Sequence, residues 1–174
     1  MALYIYTDGS TRSNGNEDST GGYAVVLMDE MNLHVIDCYA ETGIKNTTNN
    51  RMELTAIMAA IILYGWRTKN KEYVYVHTDS QYAQKSLTEW WHSWIRNNWK
   101  TSDGASVKNK DIIEKYINLV YGENCKYVNG WNLDLSYVPG HNGILGNELA
   151  DKLATGELTC EEVMNKYSLK RLGV

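Results

Sequence analysis

Apolar runs with two different periods divide the chain into predicted strands and helices. Alternating or continuous runs of β-branched and aromatic residues predict strands at residues 2–7, 23–29, 34–41, 72–78 and 131–138. Apolar residues at helical spacing predict helices at about 50–64, 80–99, 108–121, 147–156 and 158–167. A polar loop that contains glycine is expected directly after the first strand. Short turns join the first three strands, which predicts an antiparallel meander.

This order of elements predicts one α/β domain built on a mixed sheet. No linker or repeat interrupts the 174 residues, and that length suits a single core. We expect Gly65 to end the first helix, Gly156 to end the helix at 147–156, and Thr159 to cap the last helix.

The first predicted helix carries a single carboxylate, Glu53, at the head of an apolar stripe. The positions that follow it at helical spacing are Ala56, Ile57, Ala60, Leu63 and Tyr64. Glu53 is therefore expected to point towards the protein interior. One interpretation is structural, because Asn50 and Glu53 have the spacing of a capping box. The other is chemical, and it requires further carboxylates that converge on the same place.

Two aspartates follow predicted strands in similar contexts, "YIYTDGS" and "YVHTDSQ". Asp8 and Asp79 are thus expected at the C-terminal ends of the first and fourth strands, the edge where open α/β sheets bind ligands. If these strands are parallel neighbours, the carboxylates lie about 5 Å apart. Either aspartate alone is more often a turn-former or a helix N-cap. The repetition of the pattern is what favours a functional site.

Neighbouring carboxylates repel each other unless a cation lies between them. Glu53 and Asp151 are candidates for the same site, and neither cysteines nor paired histidines accompany these acids. An all-oxygen set of ligands selects Mg²⁺ or Mn²⁺ rather than zinc. Two such ions suit phosphoryl chemistry. His141, in a glycine-rich loop, is a candidate proton carrier, although a solvent-exposed loop histidine is an equally good interpretation.

Composition changes this picture little. Hydrophobic residues make up 43% of the chain and charged residues 22%, and no run is long enough for a membrane span or a signal peptide. The expected location is therefore the cytoplasm, with no membrane partner. Cys38, Cys125 and Cys160 are odd in number and widely spaced, which favours reduced thiols in the core over disulfides or a zinc site.

The net charge of −4 argues against a nonspecific nucleic-acid binder. Acids that are committed to a metal ion weaken this objection. A weak basic patch lies between Arg96 and Lys115, where five basic residues outnumber three acidic ones and are interleaved with Trp94 and Trp99.

Four motifs, in order and spacing, resemble the type 1 ribonuclease H family: "TDGS", "TTNNRMEL", "TDSQY" and "VPGHNGILGNELAD". The resemblance covers a core of about 3–155 in a single domain, 1–174, and leaves 156–174 as a C-terminal extension. It implies the ribonuclease H-like fold, a five-stranded mixed sheet in which a three-stranded antiparallel meander joins two parallel strands, with helices on both faces. It also implies an endonuclease that hydrolyses the RNA strand of RNA–DNA hybrids and leaves 5′-phosphate and 3′-hydroxyl ends.

The resemblance assigns roles to the acids as well. Asp8 would bridge two Mg²⁺ ions that are bound with the substrate, and Mn²⁺ would substitute for them. Asp151 would help to hold the ion that activates water, and Glu53 and Asp79 the ion on the leaving-group side. His141, together with Glu148 of the following helix, would assist proton transfer and product release.

Substrate contacts are implied by the same resemblance. Asn14, Asn49, Asn50 and Gln81 match positions that touch the minor groove of the hybrid and its 2′-hydroxyls. Recognition of a 2′-hydroxyl needs short neutral groups that both donate and accept hydrogen bonds. For Asn50 the capping role is the alternative.

The stretch at 90–111 resembles the basic handle with which the family grips the DNA strand. Lys100, Lys108 and Lys110 would approach phosphates, and Trp94 and Trp99 would contact the substrate or pack the handle. A handle implies that a monomer binds the hybrid without a protein partner. This handle is less basic than in many relatives, so we expect a modest affinity that depends steeply on salt.

Two other functions are compatible with the carboxylates. A junction resolvase or an integrase-like nuclease would share them, but does not typically combine the asparagines of "TTNNRMEL" with a "GHNG" loop. A binding module without cleavage would be marked by the loss of a metal-binding acid, and all four acids are present. Cleavage of hybrid RNA is therefore the predicted activity, while the insertion at 121–130 and the C-terminal tail have no assigned function.

Overall fold

The computed structural model describes residues 2–14, 16–70, 72–122 and 132–169. Its strands are β1 (Ala2–Arg12), β2 (Thr20–Met28), β3 (Val35–Lys45), β4 (Tyr73–Thr78) and β5 (Leu133–Tyr137). They form one sheet in the order β3-β2-β1-β4-β5. β1, β2 and β3 pair in antiparallel fashion, and β4 is parallel to both β1 and β5. The predicted mixed sheet, a meander joined to two parallel strands, is confirmed.

The helices are α1 (Asn49–Tyr64), α2 (Gln81–Lys85), α3 (Trp91–Arg96), α4 (Lys110–Tyr121), α5 (Leu145–Ala154) and α6 (Cys160–Tyr167). The helical segment predicted at 80–99 is present from Gln81 to Arg96, but a π turn at Ser86–Trp90 divides it into α2 and α3 and it ends three residues early. The helical segment ends at Arg96 because Asn98 and Trp99 have left-handed backbones, with φ of 50° and 57°.

Two apolar cores lie on opposite faces of the sheet. Because side chains alternate along a strand, Leu3 and Ile5 of β1 join the core beneath α1, α2 and α4, whereas Tyr4 and Tyr6 face α5 and α6. The apolar stripe of α1 is buried as predicted except at its edge, where Leu63 is 36% exposed. Each fully buried aliphatic side chain contributes about 1.5–3 kcal/mol to folding.

The start of α1 corrects one prediction. The Oγ1 atom of Thr48 accepts a hydrogen bond from the Arg51 amide at 3.2 Å, so Thr48 is the N-cap. The alternative interpretation of Asn50 and Glu53 as a capping box is therefore wrong, because Asn50 already lies inside the first turn. Glu53 consequently has no capping function.

Of the other three predicted helix ends, those at Gly156 and Thr159 agree with the structure and the one at Gly65 agrees only in part. Gly65 follows the last residue of α1 but keeps a helical backbone, and the chain continues into a 3-10 turn at Gly65–Asn70. Gly156 adopts a φ of +76° just after α5, which suits the predicted stop. Thr159 caps α6 as predicted, in a complete capping box with Glu162.

β1 extends five residues beyond its predicted end. Ser10 and Thr11 pair with the two glycines of β2, which keeps the antiparallel ladder intact as far as Arg12. The parallel pairing of β1 with β4 stops earlier, at Thr7. The polar loop expected directly after the first strand is therefore shorter than predicted. Asp8 lies within β1, one residue past the end of its parallel ladder.

The C-terminal segment folds onto the sheet as far as it is described, because α6 packs on β3 and buries Val163. Cys38 and Cys160 are half-buried free thiols at this contact, with the Cys38 sulfur 3.7 Å from the carbonyl oxygen of Cys160. Cys125, residues 123–131 and residues 170–174 lie outside the described residues. Within the described segments, no helix has the length and apolar character needed to cross a bilayer.

Candidate active site

Three acidic side chains from distant parts of the chain meet at one edge of the sheet. Asp8 of β1, Glu53 of α1 and Asp79, which directly follows β4, each offer a carboxylate oxygen, and these oxygens lie within 4.8 Å of one another. Asp8 is 5% exposed and Glu53 is 4% exposed, whereas Asp79 is half-buried. The structure thus brings together three of the four acids that the sequence predicts as metal ligands.

Gly9 allows α1 to approach β1 closely enough for this meeting. A Cβ atom at residue 9 would lie 2.2 Å from the Glu53 backbone nitrogen and 2.3 Å from the Met52 carbonyl carbon. Only glycine fits such a contact. The Gly9 amide also donates a hydrogen bond of 2.9 Å to Oδ1 of Asp8, which fixes that carboxylate beside the helix.

Burial controls the titration of the two inner acids. Burial, and after it the charge of Asp79, raises the pKa of Asp8 to about 8. Burial, followed by the charges of Asp8 and Asp79, raises the pKa of Glu53 well above its ordinary value. None of the ion pairs found in the described segments includes these three residues. Their mutual repulsion is therefore not balanced by a cationic side chain.

The residues present fit a hard divalent cation. Oε2 of Glu53 is buried and has no hydrogen-bond partner among the described residues. A buried acceptor without a partner costs free energy, and a cation beside it would remove that cost. The three acids offer only carboxylate oxygens, which are the ligands that Mg²⁺ and Mn²⁺ prefer.

The fourth predicted acid, Asp151, lies on α5. It is not among the three residues whose carboxylate oxygens lie within 4.8 Å of one another. Its charge nevertheless helps to raise the pKa of Asp8, after burial and the charge of Asp79. His141 is exposed in the loop before α5, with a left-handed φ of 55°. Glu148 is exposed in the first turn of α5. The two predicted proton-transfer residues are thus solvent-accessible and belong to one loop–helix segment.

One residue of this site, Asn147, is not among those predicted from the sequence. It is 3% exposed, and its Nδ2 atom donates a hydrogen bond of 3.5 Å to Oδ2 of Asp79. A signal for it does exist, because Asn147 heads the buried stripe of α5 that continues with Ala150 and Ala154. That is the same pattern, a polar residue on an apolar face, that singles out Glu53.

The predicted substrate-binding residues lie around the start of α1 and the start of α2. Oδ1 of Asn14 accepts a hydrogen bond of 3.0 Å from the Asn49 amide, which joins the loop after β1 to α1. Asn49, Asn50 and Gln81 are exposed. Asn14, Asn50 and Lys108 line one groove of about 740 Å³, together with Tyr82 and Trp94.

The predicted handle is held together by its tryptophans. Trp94 and Trp99 are half-buried and pack against the core beneath α1. The ammonium of Lys110 lies 5.3 Å from the centre of the Trp99 ring, a cation–π distance. Lys100 is exposed and forms an isolated β-bridge with Ser106 across the handle loop. Packing within the handle is thus the observed role of both rings.

The chain matches the RNase H family over residues 1–159. It is 40% identical to "Ribonuclease H" of Orientia tsutsugamushi (strain Boryong) over 155 residues, which are 89% of this chain and 81% of the relative. The solution structure of the PFV RNase H domain superimposes with a TM-score of 0.68 at 21% identity, covering 88% of this chain and 92% of that domain. The foamy viral protease-reverse transcriptase in complex with an RNA/DNA hybrid gives a TM-score of 0.70 at 20% identity, covering 88% of this chain and 19% of the viral one.

These two structural likenesses establish the fold, and the family match and the bacterial relative establish the affiliation. The predicted ribonuclease H-like architecture and the predicted enzyme class are both confirmed. The chain belongs to the RNase H family of nucleases, as its four motifs predict.

Proposed function

We propose that this chain hydrolyses the RNA strand of RNA–DNA hybrids as an endonuclease and leaves 5′-phosphate and 3′-hydroxyl ends. Its family supports the reaction class, and the foamy viral enzyme of the same fold was solved with an RNA/DNA hybrid. One observation carries the proposal: Asp8, Glu53 and Asp79 converge, and a buried oxygen of Glu53 lacks a partner. Such an arrangement is costly in a protein that does not bind a cation.

Two Mg²⁺ ions are the proposed cofactor, and Mn²⁺ would substitute for them. Asp8 would belong to both ion sites, because its pKa responds to the charge of Asp79 and, more weakly, to that of Asp151. Glu53 and Asp79 would complete the site on the leaving-group side, and Asp151 the site on the water side. When bound, the ions supply an activated water and stabilise negative charge on the departing oxygen.

The protein itself contributes positioned acids and proton carriers. Because burial raises the pKa of Asp8 and that of Glu53, both acids release protons as a cation binds. His141 would exchange a proton with the reacting groups, since its side chain is exposed in the loop before α5 and an imidazole ring can both donate and accept a proton. Glu148, one turn before Asp151 on α5, would assist product release.

The groove beside α1 is the proposed path of the hybrid. Asn14, Asn49, Asn50 and Gln81 would contact its minor groove, where amides both donate hydrogen bonds to 2′-hydroxyls and accept them. The exposure of Asn49, Asn50 and Gln81 supports this assignment. The N-cap of α1 is Thr48 and not Asn50, so the Asn50 side chain is available for substrate, which also supports the assignment.

The handle would grip the DNA strand. Lys100, Lys108 and Lys110 are exposed and would approach its phosphates. Trp94 would also contact substrate, because it lines the groove with Lys108, and Trp99 would support the handle beneath Lys110. Phosphate contacts position a nucleic acid without reading its sequence.

We further propose that the chain acts as a single cytoplasmic domain, 1–174, and as a monomer that needs no protein partner. The three convergent acids and the groove beside α1 are formed without residues of a second copy, which supports the monomer. Light scattering coupled to gel filtration, with and without hybrid, measures the mass of the active species. Activity that appears only in a dimeric fraction would contradict the proposal.

One experiment separates the candidate functions. The protein is incubated with Mg²⁺ and end-labelled RNA–DNA hybrid, RNA duplex, DNA duplex or four-way junction, and the products are resolved by size and end group. We expect degradation of the RNA in the hybrid alone, with 5′-phosphate and 3′-hydroxyl ends. Junction cleavage would favour a resolvase, and hybrid binding without cleavage would favour a binding module.

A further inference from the structure

We propose that Asn147 is a positioning residue that orients the Asp79 carboxylate for cation binding. This inference deepens the proposed function, because it rests on Asp79 as a metal ligand. It adds a neutral residue to the site and ties the two proposed ion sites to a single helix, α5.

The environment of Asn147 is unusual for an amide. The residue is 3% exposed, and buried asparagines normally satisfy their hydrogen-bonding groups. Nδ2 of Asn147 donates to Oδ2 of Asp79 at 3.5 Å. The NH₂ end of the amide, which can only donate hydrogen bonds, is therefore the end that faces the Asp79 carboxylate. Oδ1 of Asn147 is buried without a hydrogen-bond partner in the described part of the chain.

The unpartnered Oδ1 argues against a purely structural role. Burying an amide with one half unsatisfied costs free energy, whereas an apolar residue of similar shape would not incur that cost. Asn147 therefore does not serve the stability of the fold. Its hydrogen bond to the Asp79 carboxylate indicates a function at the acidic site.

Asp79 receives little orientation from its own segment. Oγ1 of Thr78 accepts a hydrogen bond from the Ser80 amide at 3.1 Å, and the Ser80 hydroxyl oxygen accepts one from the Ala83 amide. These bonds fix the backbone of the turn and the start of α2, and neither of them involves the Asp79 carboxylate. The hydrogen bond to Oδ2 comes instead from Asn147 of α5. Gly140 lies close to the same oxygen, because a Cβ atom added there would be 3.0 Å from it.

α5 is a rigid base for this contact. It packs on β1 and β2, and it buries Leu149, Ala150 and Leu153 in the core on that face of the sheet. Asn147 lies in its first turn and Asp151 lies one turn further on. One helix would therefore carry the acid of one ion site and orient an acid of the other. A ligand held by a second hydrogen-bonded residue binds its metal more tightly, and loss of such a partner typically costs about 10–100-fold in affinity or activity.

The test uses Asn147→Leu, which keeps the approximate shape and removes both polar ends, and Asn147→Ala as a second variant. Asn118→Ala, at an exposed position of α4, is the matched control. Mg²⁺ alone is titrated into each full-length protein, and thermal stability is recorded without substrate. We expect the metal-free melting temperature of Asn147→Leu to stay near that of the wild type. The Mg²⁺ concentration that gives half of the stabilisation should rise about 10–100-fold.

Kinetics supply a second readout. At limiting Mg²⁺, both Asn147 variants should cleave hybrid more slowly than the wild type, with KM for the hybrid little changed, and high Mg²⁺ should restore part of the rate. An unchanged Mg²⁺ midpoint in both variants would overturn the inference. A lower metal-free melting temperature with an unchanged midpoint would also overturn it, because that is the result of a structural role.

Failure of this inference can be told apart from failure of the proposed function. A wild-type protein that cleaves no hybrid refutes the proposed function, whatever its variants do. Because Mg²⁺ binding is measured without nucleic acid, a shifted midpoint in Asn147→Leu would still support the inference in that case. An active wild type with an unshifted variant overturns the inference alone.

Discussion

The ring of Tyr6 fills the space beside Gly146, so that a Cβ atom at residue 146 would lie 2.1 Å from Cδ2 of the ring. The ring has little room to move. It is 5% exposed, its hydroxyl donates to Oδ1 of Asn32 at 3.2 Å, and its centre lies 4.8 Å from the ring of His77. α5 therefore approaches β1 as closely as its backbone allows, and this approach brings Asp151 towards the other acids.

Gly146→Ala is expected to destabilise the protein by about 1–3 kcal/mol, because the added methyl group overpacks a closed contact. It should also slow hybrid cleavage, since α5 carries Asp151 and must move away from β1. Urea unfolding and steady-state kinetics measure the two effects.

Gly43→Ala is the matched control for Gly146→Ala. Gly43 has a φ of +77°, and a Cβ atom added there would have no other atom within 4 Å, so alanine meets only the strain of a left-handed backbone. That strain costs about 1–2 kcal/mol. The variant should keep full activity. Equal activity in the two variants would mean that the placement of α5 does not control the site.

Much of the site could be predicted because short β-runs and motifs are local features. Asp8 and Asp79 follow β-runs, and parallel neighbours bring such positions together, which needs no knowledge of the rest of the fold. Glu53 is visible as an acid on an apolar stripe. The convergence of these three residues therefore follows from patterns that each span about ten residues.

The features that the sequence does not reveal depend on distant partners. β1 continues past Asp8 because it pairs with glycines of β2, a long-range choice. Thr48 and Asn50 are both good N-caps by type, and only the backbone geometry selects Thr48. Asn147 is separated from Asp79 by 68 residues, so its contact cannot be deduced from local pattern.

The stability of the metal-free protein should fall as pH rises. Burial, and then the charge of Asp79, raises the pKa of Asp8 to about 8, and the pKa of Glu53 is raised as well. The folded state therefore keeps protons that the unfolded chain releases near pH 4. The resulting stability is fully present below about pH 4 and is lost as the pH passes through about 8.

Thermal melts in a chelator, taken between about pH 5 and pH 9, check this prediction. The melting temperature should decline across that range, and Mg²⁺ should reverse most of the decline at the alkaline end. A melting temperature that rises with pH in the chelator would contradict the raised pKa of the buried acids.

Asp8→Asn should abolish hybrid cleavage and leave the fold intact. The substitution removes one charge from a repulsive group, so the metal-free protein should melt at a higher temperature at pH 8 than the wild type. The decline with pH should also become shallower. Asp79→Asn should abolish cleavage in the same way. Substantial cleavage by either variant would refute the proposed metal centre, while circular dichroism confirms that each variant is folded.

His141→Ala should slow turnover by about 100-fold without eliminating it, since general acid–base groups typically contribute 10²–10⁴-fold. The residue is exposed and lies outside the group of three acids, so Mg²⁺ binding and thermal stability should stay unchanged. Single-turnover rates as a function of pH provide the measurement. A loss as complete as that of Asp8→Asn would mean that the imidazole does more than transfer protons.

Lys108→Ala should weaken hybrid binding uniformly across sequences, because an exposed lysine in the groove meets phosphates rather than bases. The slope of log affinity against log salt should become shallower by about 1.

Lys110→Ala should have a smaller effect on that slope, since its ammonium already lies over the Trp99 ring. Lys166→Ala is the control, because that lysine lies on α6 over Tyr167. Fluorescence anisotropy with a labelled hybrid in Ca²⁺ from low to high salt measures all three slopes, and an unchanged slope in Lys108→Ala would remove the handle from the proposed DNA contact.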